Sequence, residues 1–331
     1  MMNSLSMRKN QRGLSLIELM VAMALSLILM AGVFQIFVGN KKSFELTRGL
    51  SDMQENGRMA LTFLSESVRM ADHWAGLEGG EVSSSATLTG GLTGDCNLTW
   101  VFDTAVALQG FEGGTTADTD IDDCLGNNYL PNTDVLVMRY ADGRELISDA
   151  ELADASNASK VYIRLSLTDG GQIVNGADSG AVIADIPAGN GVQTFPYAAE
   201  LYFIRACSME NAGVCIDDIP TLVRLSLSGD EYVQQPLVEG VEQVQYDYGV
   251  DTDDDLVVDD YVASGGVADW DEVMSVRISV IARASQIDIE VTDANTYNMA
   301  GSYTHTADAA VNQFRRKQYN REVHVRNRSR L

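Results

Sequence analysis

The chain has 331 residues, a formal net charge of −24 and four cysteines. Between Ser43 and Phe314, 45 acidic residues stand against 11 basic ones, a balance that suits solvation and argues against general binding to nucleic-acid phosphates. Catalysis finds no support either. There is no Gly-x-Ser-x-Gly, no phosphate-cradling glycine loop and no histidine near a plausible nucleophile.

The first element is a short basic leader with Arg8, Lys9 and Arg12, followed by an apolar run from Leu14 to Val38. The run holds one ionisable side chain, Glu18, and no proline. As a helix its roughly 25 residues extend ~37 Å, enough to cross a ~30 Å hydrocarbon core with some tilt. A secretory signal has a shorter apolar stretch, about 7–15 residues, with its cleavage site after it. Here the small residue, Gly13, comes before the run. An ordinary membrane anchor leaves Glu18 unexplained, because an acid at the centre of a membrane helix costs about 2.5–3.5 kcal/mol and such groups are usually paired. If the chain is cut after Gly13, the new amine of Leu14 lies four residues before Glu18, and a neighbouring copy could offer one equally close. In a low-dielectric bundle such a contact favours both charged forms. Basic residues ahead of the run favour a cytoplasmic N-terminus with the large domain outside, although Lys41 and Lys42 dilute the asymmetry.

Gly13-Leu14-Ser15-Leu16-Ile17-Glu18 resembles the class III signal of type IV prepilins. The resemblance implies cleavage between Gly13 and Leu14 by prepilin peptidase, N-methylation of Leu14, and Glu18 as the fifth mature residue. Such chains most often begin with Phe after cleavage, and Leu14 departs from that.

The helical pattern continues past the apolar run. Leu50, Met53, Gly57, Ala60, Leu61, Leu64 and Val68 recur at three- and four-residue steps, with Asp52, Glu55, Arg58, Glu66 and Arg69 on other faces. One helix is therefore expected from about Ser15 to Asp72, lipid-embedded first and packed on a soluble domain second. Gly32 is either a weak point, at about 1 kcal/mol relative to alanine, or a site of close helix packing.

Beyond Trp74, irregular loops are expected over Gly79–Gly94 and Gly110–Asp123. Candidate strands are Asp134–Tyr140, Val161–Leu167, Ala199–Ala206, Leu222–Ser228, Val241–Tyr248, Val273–Arg283 and Glu322–Arg326. In Val161–Leu167, Val, Ile, Leu and Leu alternate onto one face, as in an antiparallel sheet with one covered side. The fold class is thus α+β. Cys96 and Cys124 bracket a Gly- and Asp-rich stretch, and Cys207 and Cys215 a short loop. Such cysteines suit an oxidising compartment. Sequence alone does not choose among their three pairings, and nearest-neighbour pairing is the expectation. Zinc is disfavoured, because no CxxC occurs and His73, His305 and His324 are scattered.

Asp251, Asp253, Asp255 and Asp259 place carboxylates at alternating positions. Calcium takes six to eight oxygens, yet Leu256 replaces the loop glycine and no glutamate occupies position twelve. Calcium and a solvated acidic loop both stand as readings. The basic tail (Arg315, Arg316, Lys317, Arg321, Arg326, Arg328, Arg330) either meets phosphate of DNA or lipid, or forms a last strand whose charges meet the acidic body or a partner pilin. The second reading is preferred.

Gln54–Ala60 with Leu64–Ala71, then Val238–Asp251, Trp270–Val273 and Phe314–Arg328, resemble PilW-type minor pilins. The stretch from Gly76 to Leu237 resembles them little. The resemblance implies a leader over 1–13, a pilin helix over 14–72 whose transmembrane half is 14–38, and an extracytoplasmic, mainly β domain over 73–331. It also implies a single-pass inner-membrane protein that joins other minor and major pilins through its helix, at the pilus tip, with a large adhesin. A minor pseudopilin of a type II secretion system shares the helix and signal. A tip-located adhesion or calcium-binding module is the alternative of another class.

Overall fold

The computed structural model describes residues 15–84, 88, 96, 99–229 and 231–328. It forms two compact units, residues 1–50 and residues 51–331. One helix, α1 (Leu16–Met70), contributes to both, within the span expected from the apolar and amphipathic patterns.

In the first unit every side chain from Leu16 to Lys41 is exposed, including Leu16, Ile17, Leu29, Phe34 and Ile36. Among the described residues this is the one helix long and apolar enough to cross a membrane. Ser26 stays satisfied inside the run by donating to the carbonyl of Ala22 at 2.6 Å, which removes an orphan hydroxyl from an apolar surrounding. Lys41 and Glu45 pair one turn apart at 3.7 Å.

In the second unit, Met53, Gly57, Ala60, Leu61, Leu64 and Val68 form the buried face of α1. Leu50, expected on the same face, is 38 % exposed and lies in the first unit. Gly57 sits directly under the ring of Tyr319, where a Cβ would collide. The helix ends without proline or glycine: Asp72 takes a left-handed φ of 63°, a conformation Asp tolerates better than most residues. The Asn327 side chain donates to the carbonyl of Ala71 at 2.8 Å and reaches those of Arg69 and Met70 at 3.4 Å, which answers carbonyls a helix end otherwise leaves open.

The strands in chain order are β1 (Val82–Ser84), β2 (Leu108–Phe111), β3 (Val135–Ala141), β4 (Val161–Ser166), β5 (Gly170–Asn175), β6 (Gln193–Arg205), β7 (Glu210–Asn211), β8 (Val214–Cys215), β9 (Thr221–Ser228), β10 (Glu231–Glu239), β11 (Val241–Val250), β12 (Asp260–Val262), β13 (Val273–Arg283), β14 (Thr296–Asn298), β15 (Thr304–Thr306) and β16 (Arg316–His324). An eight-stranded sheet runs β1-β5-β4-β6-β3-β2, with β9 on β6 and β10 on β9. A four-stranded sheet runs β12-β11-β13-β16. All pairs are antiparallel except β1 with β5. The long β6 meets β4 over Gln193–Pro196, β3 over Tyr197–Tyr202 and β9 over Glu200–Arg205. Gly240 (φ 74°) makes the one-residue link from β10 to β11, approaching the carbonyl of Arg283 too closely for a side chain.

The large sheet is covered on both faces, which corrects the expectation of one covered side. Val135, Val137, Leu201 and Phe203 enter one core with Trp74 and Trp100. Their neighbours Leu136, Met138, Tyr202 and Ile204 enter the other, with Leu64 and Val68 of α1 and Val244, Val276 and Ile278 of the four-stranded sheet. Tyr162 and Val174 join Leu152 and Val182 in a third cluster. Alternation in β4 is real, but Tyr162 and Arg164 on its second face are buried too, while Leu167, expected on the apolar face, is exposed beyond the strand end. The loops expected over Gly79–Gly94 and Gly110–Asp123 contain β1 and, at their edges, part of β2 and of a short helix, Asp122–Leu125; much of 85–95 lies outside the described residues.

Both disulfides follow nearest-neighbour pairing, Cys96–Cys124 and Cys207–Cys215. Arg139 is the one buried arginine with no carboxylate in ion-pair range among the described residues. It donates to the carbonyls of Trp100 and Val106 and lies 5.5 Å from the Trp100 ring centre, and burial lowers its pKa.

Asp134 fastens the two sheets. Its amide donates to the Val244 carbonyl at 3.1 Å, and its carboxylate accepts from the amides of Gly113 and Tyr246, both at 2.9 Å. Burial pushes its pKa up to about 7, against the opposing pull of those two amides. Because the folded-state value lies above the ordinary 3.8, the stability tied to protonation is complete below about pH 4 and is lost as pH rises through about 7. Asp134→Asn is therefore expected to flatten the dependence of melting temperature on pH over that window; a slope equal to the parent's rejects the assignment.

Candidate functional site

The candidate assembly residue Glu18 lies in the first turn of α1. Four amides at a helix start lack intrahelical partners, and here side chains meet two of those near the end. The Glu18 carboxylate accepts from the Ser15 amide at 3.1 Å, and the Ser15 hydroxyl from the Ile17 amide at 3.3 Å. Ser15-Leu16-Ile17-Glu18 has the spacing of a capping box, a signal the carboxylate-in-lipid reading overlooks. Glu18 thus folds back over the helix start. Gly13 and Leu14 themselves lie outside the described residues.

The acidic loop follows β11. Asp251, Asp253 and Asp259 bring carboxylate oxygens within 4.8 Å of one another. Asp255 is not part of that group; its carboxylate accepts from the Val257 amide at 2.8 Å. Asp251 is buried and accepts from the amides of Leu256 at 2.7 Å and Asp255 at 3.3 Å. Asp259 accepts from the hydroxyl of Thr252 at 2.6 Å and from its amide at 2.8 Å, bonds that hold its pKa below the usual range. The charges of Asp255 and Asp259 raise that of Asp253. Left-handed φ values at Asp254 and Leu256 fold the loop back on itself. Three carboxylates fall short of the six to eight oxygens calcium takes, so an ion here needs carbonyls or water as well.

The tail meets the body. Its strand, β16, starts at Arg316 rather than Glu322 and pairs with β13 along its length. Arg316 is buried against Glu242, at 2.5 Å and 2.9 Å through two nitrogens, and against Asp293 at 3.3 Å. Arg315 pairs with Asp288 at 2.8 Å. Arg328 bridges Asp72 at 3.0 Å and Asp271 at 3.1 Å and donates to the carbonyl of Trp270. Three tail arginines are thereby engaged within the chain itself; Arg330 lies outside the described residues.

An exposed apolar N-terminal helix joined to a mostly antiparallel β domain is the build of a membrane-anchored pilus component. Residues 201–327 match the family model of type IV pilus-assembly protein W, and residues 8–34 that of the prokaryotic N-terminal methylation motif. Neither match covers residues 35–200. No curated protein and no solved structure matches the chain. The two matches, to the PilW model over part of the chain and to the prepilin methylation motif, together support a minor pilin role in a type IV pilus. They indicate a structural component rather than an enzyme, and imply contact with other pilins and with prepilin peptidase.

Arg316→Ala leaves Glu242 buried with Arg283 at 3.8 Å as its remaining cation. Breaking one side of a buried pair costs about 3–5 kcal/mol, so a clear fall in the denaturation midpoint is expected, with Arg316→Met milder. Equal midpoints for parent and Arg316→Ala reject a stabilising role.

Proposed function

We propose that this chain is a PilW-type minor pilin that helps prime type IV pilus assembly within a tip complex of minor pilins. The observation that carries the reading is the overlap of the methylation-motif match, residues 8–34, with an apolar helix that begins at Leu16 and that its own chain leaves bare. In this reading residues 1–13 are the leader, 14–72 the pilin helix and 73–331 the extracytoplasmic domain. Prepilin peptidase cuts between Gly13 and Leu14, and Leu14 is methylated. The chain waits as a single-pass inner-membrane protein with its large domain in the periplasm. The helix then slides into a bundle of pilins, where Glu18 leaves its own helix start to meet a neighbour's Leu14 amine. The bulk of the domain favours the tip over the shaft, where it would crowd every turn, and a large adhesin is the partner expected there.

Glu18→Ala is expected to leave membrane insertion intact and to abolish incorporation into pili, read by fractionating membranes and sheared fibres. Normal incorporation refutes the role given to Glu18. Calcium belongs to the reading only through Asp251, Asp253 and Asp259. Titration of the detergent-solubilised full chain is expected to give calcium-dependent heat and a higher melting temperature, both absent in Asp253→Asn. Absence of both in the parent leaves a solvated acidic loop.

A further inference from the structure

In so acidic a molecule the location of the cations is informative. Of the 11 basic residues between Ser43 and Phe314, Arg139, Arg164, Arg205 and Arg283 are buried. Three of the other seven, Arg69, Arg144 and Arg224, line a single pocket of about 530 Å³ at the C-terminal end of α1, joined there by Arg326 of the tail. Cavities of roughly 300–1,000 Å³ are of ligand-binding size. The carboxylates nearby are Glu66 on the lining, Asp142, which holds Arg144 at 2.7 Å, and Glu200, which holds Arg224 at 3.0 Å. Arg69 has no carboxylate in ion-pair range among the described residues.

The floor of the pocket is organised in advance. The Ser67 hydroxyl donates to Glu200 at 3.0 Å and lies 2.6 Å from that of Tyr202, which also donates to Glu200 at 3.0 Å. Gln235 accepts from Arg224 at 2.6 Å. Burial raises the pKa of Tyr202, so its phenol keeps its proton at neutral pH. This network fixes Arg224 with no help from a ligand. Elsewhere on the lining, groups stand open: the Tyr140 hydroxyl has no hydrogen-bond partner among the described residues, and His73 uses one ring nitrogen on the Ala141 carbonyl at 2.8 Å. Phe63, Met70 and the Tyr140 ring supply apolar wall between the guanidiniums.

We propose that this pocket receives an acidic side chain with apolar neighbours, carried on a peptide segment of another protein of the pilus assembly. The proposal rests on the assembly reading above for the source of that partner. Guanidiniums match carboxylates in planar, bidentate geometry, and the apolar wall adds burial that a bare inorganic anion would leave unused. A nucleic acid brings a phosphate at every nucleotide to a body with 45 acidic residues against 11 basic ones, whereas a peptide brings one carboxylate to the arginines with uncharged neighbours around it and meets far less repulsion. Charge complementarity therefore selects an acidic protein segment.

The test is Met70→p-benzoylphenylalanine in the full chain, irradiated in cells that carry the pilus genes. The expected adduct is a protein whose cross-linked peptide holds Asp or Glu beside apolar residues. Arg69→Glu with Arg326→Glu, in protein that melts like the parent, is expected to lower its yield at least about tenfold, and changing the mapped acid to Arg is expected to restore it. If the double reversal disturbs folding, Arg69→Gln with Arg326→Gln gives the same readout. Adducts indifferent to these changes, adducts on lipid or nucleic acid alone, adducts on an uncharged or basic segment, or no adduct from membrane-inserted protein each overturn the proposal. Cross-linking is read whether or not pili form. An acid-dependent adduct in cells whose pili survive deletion of this chain leaves the pocket standing and removes the assembly reading.

Discussion

The constraint on which this molecule turns is an apolar helical surface that its own chain does nothing to cover. From Leu16 to Val38 no side chain is buried, and each Leu, Ile, Val, Met or Phe left in water forgoes about 1.5–3 kcal/mol of burial. Summed over the run, that exceeds the whole stability of an ordinary domain, about 5–15 kcal/mol. The helix therefore requires an environment supplied from outside, either lipid or other helices. Its first turn then has to be satisfied without water, and Ser15 and Glu18 meet that need locally. The same carboxylate that caps the helix start is the one group in the run able to recognise a positive charge, so capping and recognition compete for one side chain.

Past the apolar surface, α1 joins the core of the second unit. Leu64 and Val68 share one hydrophobic cluster with residues of the eight-stranded and the four-stranded sheet, which accounts for the burial of the larger sheet's second face. Charge is handled by the same economy of space. Net acidity keeps the surface solvated, while arginines placed late in the chain carry compensation inward, Arg316 to Glu242 and Asp293, Arg328 to Asp72. A strongly acidic sequence thus hides several of its cations where they hold elements together.

Much of this was legible in the residues. The single long helix and the strands β3, β4, β9, β11 and β13 follow from period and β-branched content, while the disulfides agree with a nearest-neighbour expectation that spacing alone does not select. What stayed hidden had weak local signals. β10 mixes polar and apolar residues and contains Pro236, as edge strands do; β5 opens on two glycines; the first half of β6 contains Pro196. The start of β16, Arg316-Lys317-Gln318, reads as charge rather than strand because its apolar partner surface lies on β13. The Ser15 cap was written in a recognisable spacing, but the cost of an acid in lipid drew the eye to Glu18 alone. The arginine-lined pocket had no sequence signature at all, since Arg69, Arg144, Arg224 and Arg326 meet only through the fold.

One contact also sets a timetable. Asn327 closes the end of α1 by reaching the carbonyls of residues 69–71, and Arg328 grips Asp72 beside them. These bonds join positions more than 250 residues apart, and contacts so distant in sequence form late. A chain emerging N-terminus first therefore presents a helix whose far end stays uncapped until Asn327 and Arg328 have arrived. The far end of α1 is thus closed only after every strand of the β domain has been made.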